Sequence, residues 1–86
     1  MVIEVKTPDW SDWPDFVQED VNKCIFIAVL DIAYKLKLNV NIKRKGNSRM
    51  IYNKPIVNPN SYNTVYLEGY DTIDIKSIEK LEILNN

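Results

Sequence analysis

The first side chains that could do chemistry are carboxylates crowded near the N-terminus. Two carboxylates at a suitable distance can act as general acid and base, and several together can hold Mg²⁺. These carboxylates do not follow the spacing of a cation-binding loop, and the chain has neither a P-loop nor a nucleophile elbow. We therefore expect a protein that is not an enzyme, with no catalytic residue, no bound metal and no cofactor. The carboxylates concerned are Asp9, Asp12, Asp15, Glu19 and Asp20.

The chain has no histidine and a single cysteine, Cys24. Histidine is the commonest general acid–base group and a common metal ligand, so its absence removes many catalytic and zinc-binding classes. One cysteine forms no internal disulfide, which is typical of a reducing compartment. The longest apolar run, residues 24–30, is far shorter than the ~20 residues that span a bilayer. These features predict a cytoplasmic protein with no membrane partner, and a packed, unreactive thiol at Cys24.

The middle of the chain is strongly basic. Residues 32–67 contain seven lysines and arginines and no acidic residue, whereas acids outnumber bases on either side. Cations beside aromatic rings are typical of sites for single-stranded nucleic acid. A nucleotide or an acidic protein surface would suit them equally well. The candidate partner- or phosphate-binding residues are Lys43, Arg44, Lys45, Arg49, Lys54, Tyr52 and Tyr62.

A structural role would explain the same basic residues. Lysines on edge strands hinder aggregation. The basic hairpin at 43–54 can also face the acidic ends of its own chain. Sequence alone leaves both interpretations open.

The segment PDWSDWPDF, residues 8–16, repeats an acidic residue followed by an aromatic one. Its prolines, aspartates and serine are typical of a helix start, with the rings pinned to the core. The alternative is an exposed acidic-aromatic plug, because tryptophan is a preferred interface anchor and acidic neighbours steer it to a basic partner. The candidate interface anchors are Trp10, Trp13 and Phe16.

Hydrophobic periodicity predicts the elements that must position these residues. A helix is expected over residues 15–34. The alternation in 36–43 places Leu38, Val40 and Ile42 on one buried side of a strand, and residues 45–48 read as a hairpin turn. Pro55 predicts an edge or a bulge in the next strand. The last stretch, 76–84, suits a turn at 76–77 and a strand, although a helical turn is the alternative. The expected strands are 2–5, 36–43, 49–57, 64–70, 72–75 and 80–84.

The predicted helix is apolar on two faces. Phe26, Leu30 and Ala33 lie nearly opposite the other stripe. Such a helix is either wrapped by the rest of the fold or meets a second chain. We expect self-association through Phe26, Leu30 and Ala33 unless the sheet covers them. The other stripe, which we expect to face the core, contains Val17, Val21, Cys24, Ile25, Ala28 and Ile32.

The order β-α-β-β-β-β-(β) predicts a single α+β domain spanning residues 1–86. One central helix packs on a small antiparallel sheet. The ending IDIKSIEKLEIL is loosely similar to small SH3-like barrels, so a barrel-like sheet is one form of this expectation. The ending carries no diagnostic motif, and no family assignment follows.

The residue types argue against catalysis and metal binding, and charge is unevenly distributed along the chain. Together these features predict a small intracellular interaction protein. Its abundant Asn, Ile, Lys and Tyr have AT-rich codons, which is common in bacteriophages and mobile elements. We expect a phage or mobile-element protein of the anti-defence type. It would bind and inhibit or modulate a host protein or nucleoprotein in the host cytoplasm. A nucleic-acid-binding module using the 43–54 hairpin is the first alternative, and a nucleotide-binding protein is the second.

Overall fold

The computed structural model describes residues 1–8, 11–58 and 62–85. It has the predicted α+β architecture, with one helix packed on antiparallel sheets. A short 3-10 helix, Ile75–Ser77, falls at the turn predicted at 76–77. The long elements in chain order are β1 (Val2–Glu4), α1 (Asp15–Lys35), β2 (Asn39–Arg44), β3 (Met50–Lys54), β4 (Ile56–Asn58), β5 (Thr64–Leu67), β6 (Ile73–Asp74) and β7 (Ile78–Leu84).

The strands form two sheets rather than one closed barrel in the described part of the chain. The first has the order β1-β7-β2-β3 and the second the order β4-β5-β6, with all pairs antiparallel. Pro55 separates β3 from β4, so the strand expected over 49–57 is split there. Proline has no backbone N–H to donate to a ladder, which explains why the chain leaves the first sheet at this residue. The alternative of a helical turn throughout 76–84 is wrong, because β7 fills most of that stretch.

The core lies between α1 and the two sheets. Val40 and Ile42 on β2 are fully buried, as the alternating pattern predicts, and Leu38 packs partly buried against the same core. Leu36, the first residue of the predicted strand, is 63% exposed because the helix and its closing turn extend through it. The second sheet adds buried aliphatic side chains from every strand: Ile56, Val65, Leu67 and Ile73.

The face of α1 that packs on the sheets is the reverse of the expected one. Phe26, Leu30 and Ala33 are at most 4% exposed and belong to the core, so they are not available for self-association. Cys24, expected to be packed, is exposed. Periodicity identifies both apolar faces, but only the fit of the larger Phe26 and Leu30 side chains between the sheets selects the inner one.

The start of α1 also differs from expectation. The residue preceding the helix is Pro14, which makes no side-chain cap hydrogen bond, so the serine of the segment, Ser11, is not the N-cap. The carbonyl oxygen of Pro14 instead accepts from the N–H groups of Val17 and Gln18 at 3.0 and 3.1 Å. Phe16 points into solvent rather than the core.

Candidate functional site

The basic hairpin faces acidic side chains of the same chain. Lys43 forms an ion pair and hydrogen bond with Glu79 of β7. The Lys45 ammonium lies 3.8 Å from a Glu19 carboxylate oxygen on α1. Two of the five predicted hairpin cations are therefore opposed by carboxylates of the same chain. This agrees with the structural interpretation, in which the basic hairpin faces acidic segments of its own chain.

The other predicted hairpin residues are not drawn into one cluster by any described contact. Arg44 is half-buried, and its Nε is buried without a hydrogen-bond partner in the described residues. Arg49 is exposed and Lys54 is half-buried, and neither forms an ion pair within residues 1–8, 11–58 and 62–85. The rings of Tyr52 and Tyr62 are 63% and 79% exposed.

The acidic-aromatic segment presents its rings to solvent at the start of α1. Trp13 is 45% exposed and Phe16 is 70% exposed. Asp12 and Asp15 beside them are exposed and form no ion pair within the described part of the chain. We call these four residues the acidic-aromatic tip. The third predicted anchor, Trp10, lies outside the described residues, as does Asp9.

The next acidic residues of α1 hold the helix to the rest of the fold. The Asp20 carboxylate forms an ion pair with Lys76 on the 3-10 helix, with Lys76 Nζ and Asp20 Oδ1 2.9 Å apart. The hydrogen bond and charge of Asp20 raise the pKa of Lys76 above its ordinary 10.5, and Glu19 and Asp74 add to the effect while desolvation opposes it. Asp20 and Glu19 therefore form intramolecular ion pairs, whereas Asp12 and Asp15 form none with the residues that the structure describes.

A surface groove of about 420 Å³ lies at the opposite end of α1, between the helix end and the start of β4. Its floor is apolar, with buried Ala33 and Ile56 and half-buried Leu38 and Pro55. Its rim is exposed and cationic, formed by Tyr34, Lys35 and Lys37. We call it the C-terminal groove. No local pattern in the sequence indicates this groove, because its walls come from segments some twenty residues apart in the chain.

Lys37 is held at the rim by the way α1 ends. Its backbone is left-handed, with φ of 57°, although it carries a Cβ. The N–H groups of Lys37 and Leu38 donate to the carbonyl oxygens of Tyr34 and Ala33, at 3.1 and 2.9 Å, which is the Schellman pattern. Glycine is the usual residue at this position, so a lysine here is the one local signal in the sequence that could have drawn attention to the groove.

Between the tip and the groove, the outer side of α1 is apolar. We call Val17, Val21, Cys24, Ala28 and Ile32 the outward helix face. Cys24, Ala28 and Ile32 are exposed, Ile32 by 55%, and the two valines are half-buried. No described element of the same chain covers the exposed residues. An amphipathic surface helix normally carries polar side chains on this side.

On the outer face of the first sheet, polar side chains bond to one another. Asn41 is 5% exposed, accepts from the N–H of Asn53 at 2.8 Å and donates to Glu82 at 3.1 Å. Asn53 adopts φ of 54° at an irregularity in the β2–β3 ladder, and its side chain accepts from Asn39. Every described partner in this network belongs to the protein itself, so we assign it a structural role.

The described residues give little support to a metal site or to a membrane-spanning helix. Residues 1–8, 11–58 and 62–85 contain no group of three or more side chains arranged to hold a metal ion. Nor does any helix among them have the length and apolar character needed to cross a membrane. Three separate features remain along α1: the acidic-aromatic tip at its start, the outward helix face on its solvent side and the C-terminal groove where it ends. Neither a family model, nor a curated protein, nor a solved structure matches this chain.

Proposed function

We propose that this chain is a small intracellular interaction protein, without catalytic activity, whose acidic-aromatic tip binds a basic surface of a partner protein or nucleoprotein. The observation that carries the proposal is the exposure of Trp13 and Phe16, by 45% and 70%, beside two carboxylates without an ion pair in the described residues. At 70% exposure Phe16 contributes little to the core, so binding a partner is a reason for a ring at this position.

The chemistry of the tip suits recognition. Burying an aromatic ring in a partner's pocket removes a large apolar surface from water, and tryptophan is over-represented among residues that dominate binding energy. Asp12 and Asp15 would accelerate encounter with a basic partner and disfavour acidic ones. An acidic module that covers a basic surface also competes with nucleic acid for it. That competition is the route by which we propose the protein inhibits or modulates a host protein or nucleoprotein.

The proposed origin, a phage or mobile element acting against host defence, rests on residue usage. The chain is rich in residues with AT-rich codons and poor in Ala, Gly and Arg. In this proposal, the host cytoplasm is where the partner is met.

Nucleic-acid binding through the hairpin is the second candidate. Exposed Tyr52 and Tyr62 favour it, together with Arg49 and Lys54, which form no ion pair with any described residue. Stacking faces and cations are what single strands require. The ion pair of Lys43 with Glu79 weakens it. Fluorescence anisotropy with single- and double-stranded oligonucleotides at two salt concentrations tests it. Binding that falls steeply with salt would support this candidate, and no binding at low salt would exclude it. A nucleotide site has less support, because the C-terminal groove is open to solvent.

Three immobilised proteins test the proposed function: wild type, Trp13→Ala with Phe16→Ala, and Tyr52→Ala with Tyr62→Ala. The two double variants each remove two exposed rings, so the tyrosine variant is a matched control. Proteins retained from a bacterial lysate are identified by mass spectrometry, purified and titrated against each variant by calorimetry. Circular dichroism checks that both variants fold.

We expect the tip variant to bind a retained partner at least about tenfold more weakly, with the tyrosine variant unchanged. Asp12→Lys with Asp15→Lys should reduce the association rate as well, and the loss should shrink as salt is added. A partner lost by the tyrosine variant and kept by the tip variant would contradict the proposal and favour the hairpin.

A further inference from the structure

We infer that two copies of this chain pair antiparallel through β1, which joins their four-stranded sheets into one sheet of eight strands. β1 lies at an edge of its sheet, and no described strand pairs with its other side. An unpaired sheet edge presents backbone groups to which a further strand can bind. The contact uses neither the acidic-aromatic tip nor the C-terminal groove, so it is independent of the proposed function.

β1 is bonded to the β7 side through alternate residues. The amino nitrogen of Met1 donates to the carbonyl oxygen of Asn85, and the N–H of Asn85 donates back to Met1, both over 2.9 Å. Further along the strand, the N–H of Val5 donates to the carbonyl oxygen of Leu81 over 2.9 Å. Because bonded pairs alternate with unbonded pairs in an antiparallel ladder, residues 1, 3 and 5 direct their backbone groups toward β7.

The backbone groups of Val2 and Glu4 therefore point away from β7, toward the open edge. β1 is exposed throughout and pairs with β7 without an irregularity. The opposite edge of the same sheet differs, since β3 contains the left-handed Asn53 and ends just before Pro55. Irregularities and prolines protect an edge from further pairing, and β1 has neither.

A second β1 fits this edge best in one register. With Ile3 opposite Ile3, Val2 of each copy lies opposite Glu4 of the other. The outward N–H and C=O groups then exchange four hydrogen bonds about a two-fold axis. A shift of two residues in one direction sets Val2 opposite Val2 and keeps only two of these bonds. The opposite shift sets Glu4 opposite Glu4, which places like charges face to face.

The same register brings exposed apolar side chains together on one face of the sheet. Ile3 is 46% exposed, although Ile83 beside it in the ladder belongs to the core. In the pair, the two Ile3 side chains meet at a position without hydrogen bonds, where Cα atoms are only about 4.5 Å apart. Met1, which is 82% exposed, lies opposite Val5 of the second copy. Pairing therefore buries apolar surface that a single copy leaves in water.

The contact is small, because it involves only residues 1–5 of each copy. Interfaces that bury less than about 1,200 Å² are typically weak, so we expect a dissociation constant of about 0.1–1 mM. Sedimentation equilibrium of the purified chain, 10.1 kDa, at concentrations up to about 1 mM should show a monomer–dimer equilibrium.

Single cysteines placed along β1 test the register. Cys24→Ser removes the only natural cysteine and serves as the background. With oxidised glutathione, Ile3→Cys should form an intermolecular disulfide at least about tenfold faster than Val2→Cys or Glu4→Cys, because only at position 3 do identical residues lie opposite each other. A mixture of Val2→Cys and Glu4→Cys should form the mixed disulfide in preference to either symmetric one.

Charges at the centre of the contact test the pairing of Ile3 with itself. Ile3→Lys and Ile3→Asp each remove an apolar contact and set like charges opposite each other, so we expect each to dimerise at least about tenfold more weakly than wild type. An equimolar mixture of the two variants places opposite charges together and should associate more tightly than either variant alone. Circular dichroism checks that both variants fold.

Val2→Pro tests the backbone hydrogen bonds. The substitution removes an N–H that points to the open edge and leaves the bonds to β7 in place, as prolines on edge strands do. We expect dimerisation to weaken at least about tenfold, because two of the four hydrogen bonds across the axis are lost. Val2→Ala is the matched control: it shortens the same side chain and keeps the N–H, so it should dimerise nearly as wild type does.

A wild-type chain that stays monomeric at 1 mM overturns the inference. A dimer that tolerates Val2→Pro, or disulfide formation no faster at Ile3 than at Val2 and Glu4, also overturns it. None of these results bears on the proposed function. That proposal fails by a different result, in which wild type and the Trp13→Ala, Phe16→Ala variant bind the same unlike proteins equally.

Discussion

The N–H of Leu38 donates to the carbonyl oxygen of Ala33 over 2.9 Å, and this hydrogen bond closes the end of α1. The bond requires the intervening Lys37 to adopt a left-handed backbone, with φ of 57°. A residue with a Cβ pays roughly 1–2 kcal/mol for that conformation, whereas glycine does not. The same turn places Lys37 at the rim of the C-terminal groove. The residue with the strained backbone is therefore also part of the candidate site.

Lys37→Gly should stabilise the fold. We expect the free energy of unfolding to rise by about 0.5–1 kcal/mol, because relief of the strain exceeds the added entropy of the unfolded chain. Urea denaturation measures the change. Lys37→Ala is the control: it removes the same charge and keeps the Cβ, so it should bring no such gain. If the two variants were equally stable, the left-handed turn at Lys37 would be in doubt.

Phe26→Ala and Phe16→Ala compare the two sides of α1 with one substitution. Phe26 is 4% exposed and Phe16 is 70% exposed. Truncating Phe26 should cost about 3–5 kcal/mol through lost burial and a cavity, whereas truncating Phe16 should change stability by less than about 0.5 kcal/mol. Thermal unfolding of both variants decides the orientation of the helix. The reverse order of stabilities would show that the other face packs on the sheets.

Ile42→Ala and Ile32→Ala test the register of β2 in the same way. Ile42 is fully buried opposite Leu81 of β7, and Ile32 is 55% exposed on the outward helix face. We expect a loss of about 2–4 kcal/mol for Ile42 and less than about 1 kcal/mol for Ile32. A shift of one residue in the strand would turn Ile42 outward and make the first substitution nearly harmless. Chemical denaturation of both variants measures the two losses.

Asn41→Asp should make stability depend on pH. The substitution keeps an oxygen to accept from the N–H of Asn53, but it removes the amide that donates to Glu82 and adds a like charge beside that carboxylate. We expect a loss of about 1–3 kcal/mol at neutral pH that shrinks as the solution is made acidic, because protonation of one carboxyl removes the repulsion between the pair. Asn41→Ala, which has no charge, should lose stability without this recovery. Urea midpoints at several pH values distinguish the two variants.

Lys76 should contribute to stability until the pH is strongly alkaline. Its pKa is raised above 10.5 by the hydrogen bond and charge of Asp20, so the folded chain holds this proton more tightly than the unfolded chain. The contribution is complete below the ordinary pKa and disappears as the pH rises through the folded value. Lys76→Met should therefore lower the urea midpoint at about pH 8, with the difference vanishing only when the pH rises through the raised pKa of Lys76. A difference that persisted at high pH would assign the effect to packing of the lysine stem.

Much of the fold could be predicted because its signals are local. The period of 3.6 identified α1 to within a residue at its end, and alternation placed Val40 and Ile42 on the buried side of β2. The glycine at the tip of the hairpin also behaves as expected, with φ of 74° at Gly46. The helix cap was less predictable: Ser11 has a suitable side chain, but α1 begins at Asp15, directly after Pro14.

By itself, the sequence determined which segments become helix and strand, that α1 has two apolar faces, and that charge is concentrated in blocks. Only the tertiary structure decided which face of α1 is buried, because a helix apolar all round can pack by either side until the shape of the sheets selects one. It also decided that Lys43 and Lys45 pair with Glu79 and Glu19, that Phe16 is largely exposed, and that Trp13 is exposed in part. The C-terminal groove likewise exists only in three dimensions. Contacts between residues distant in the chain depend on how the sheets pack, which no local pattern encodes.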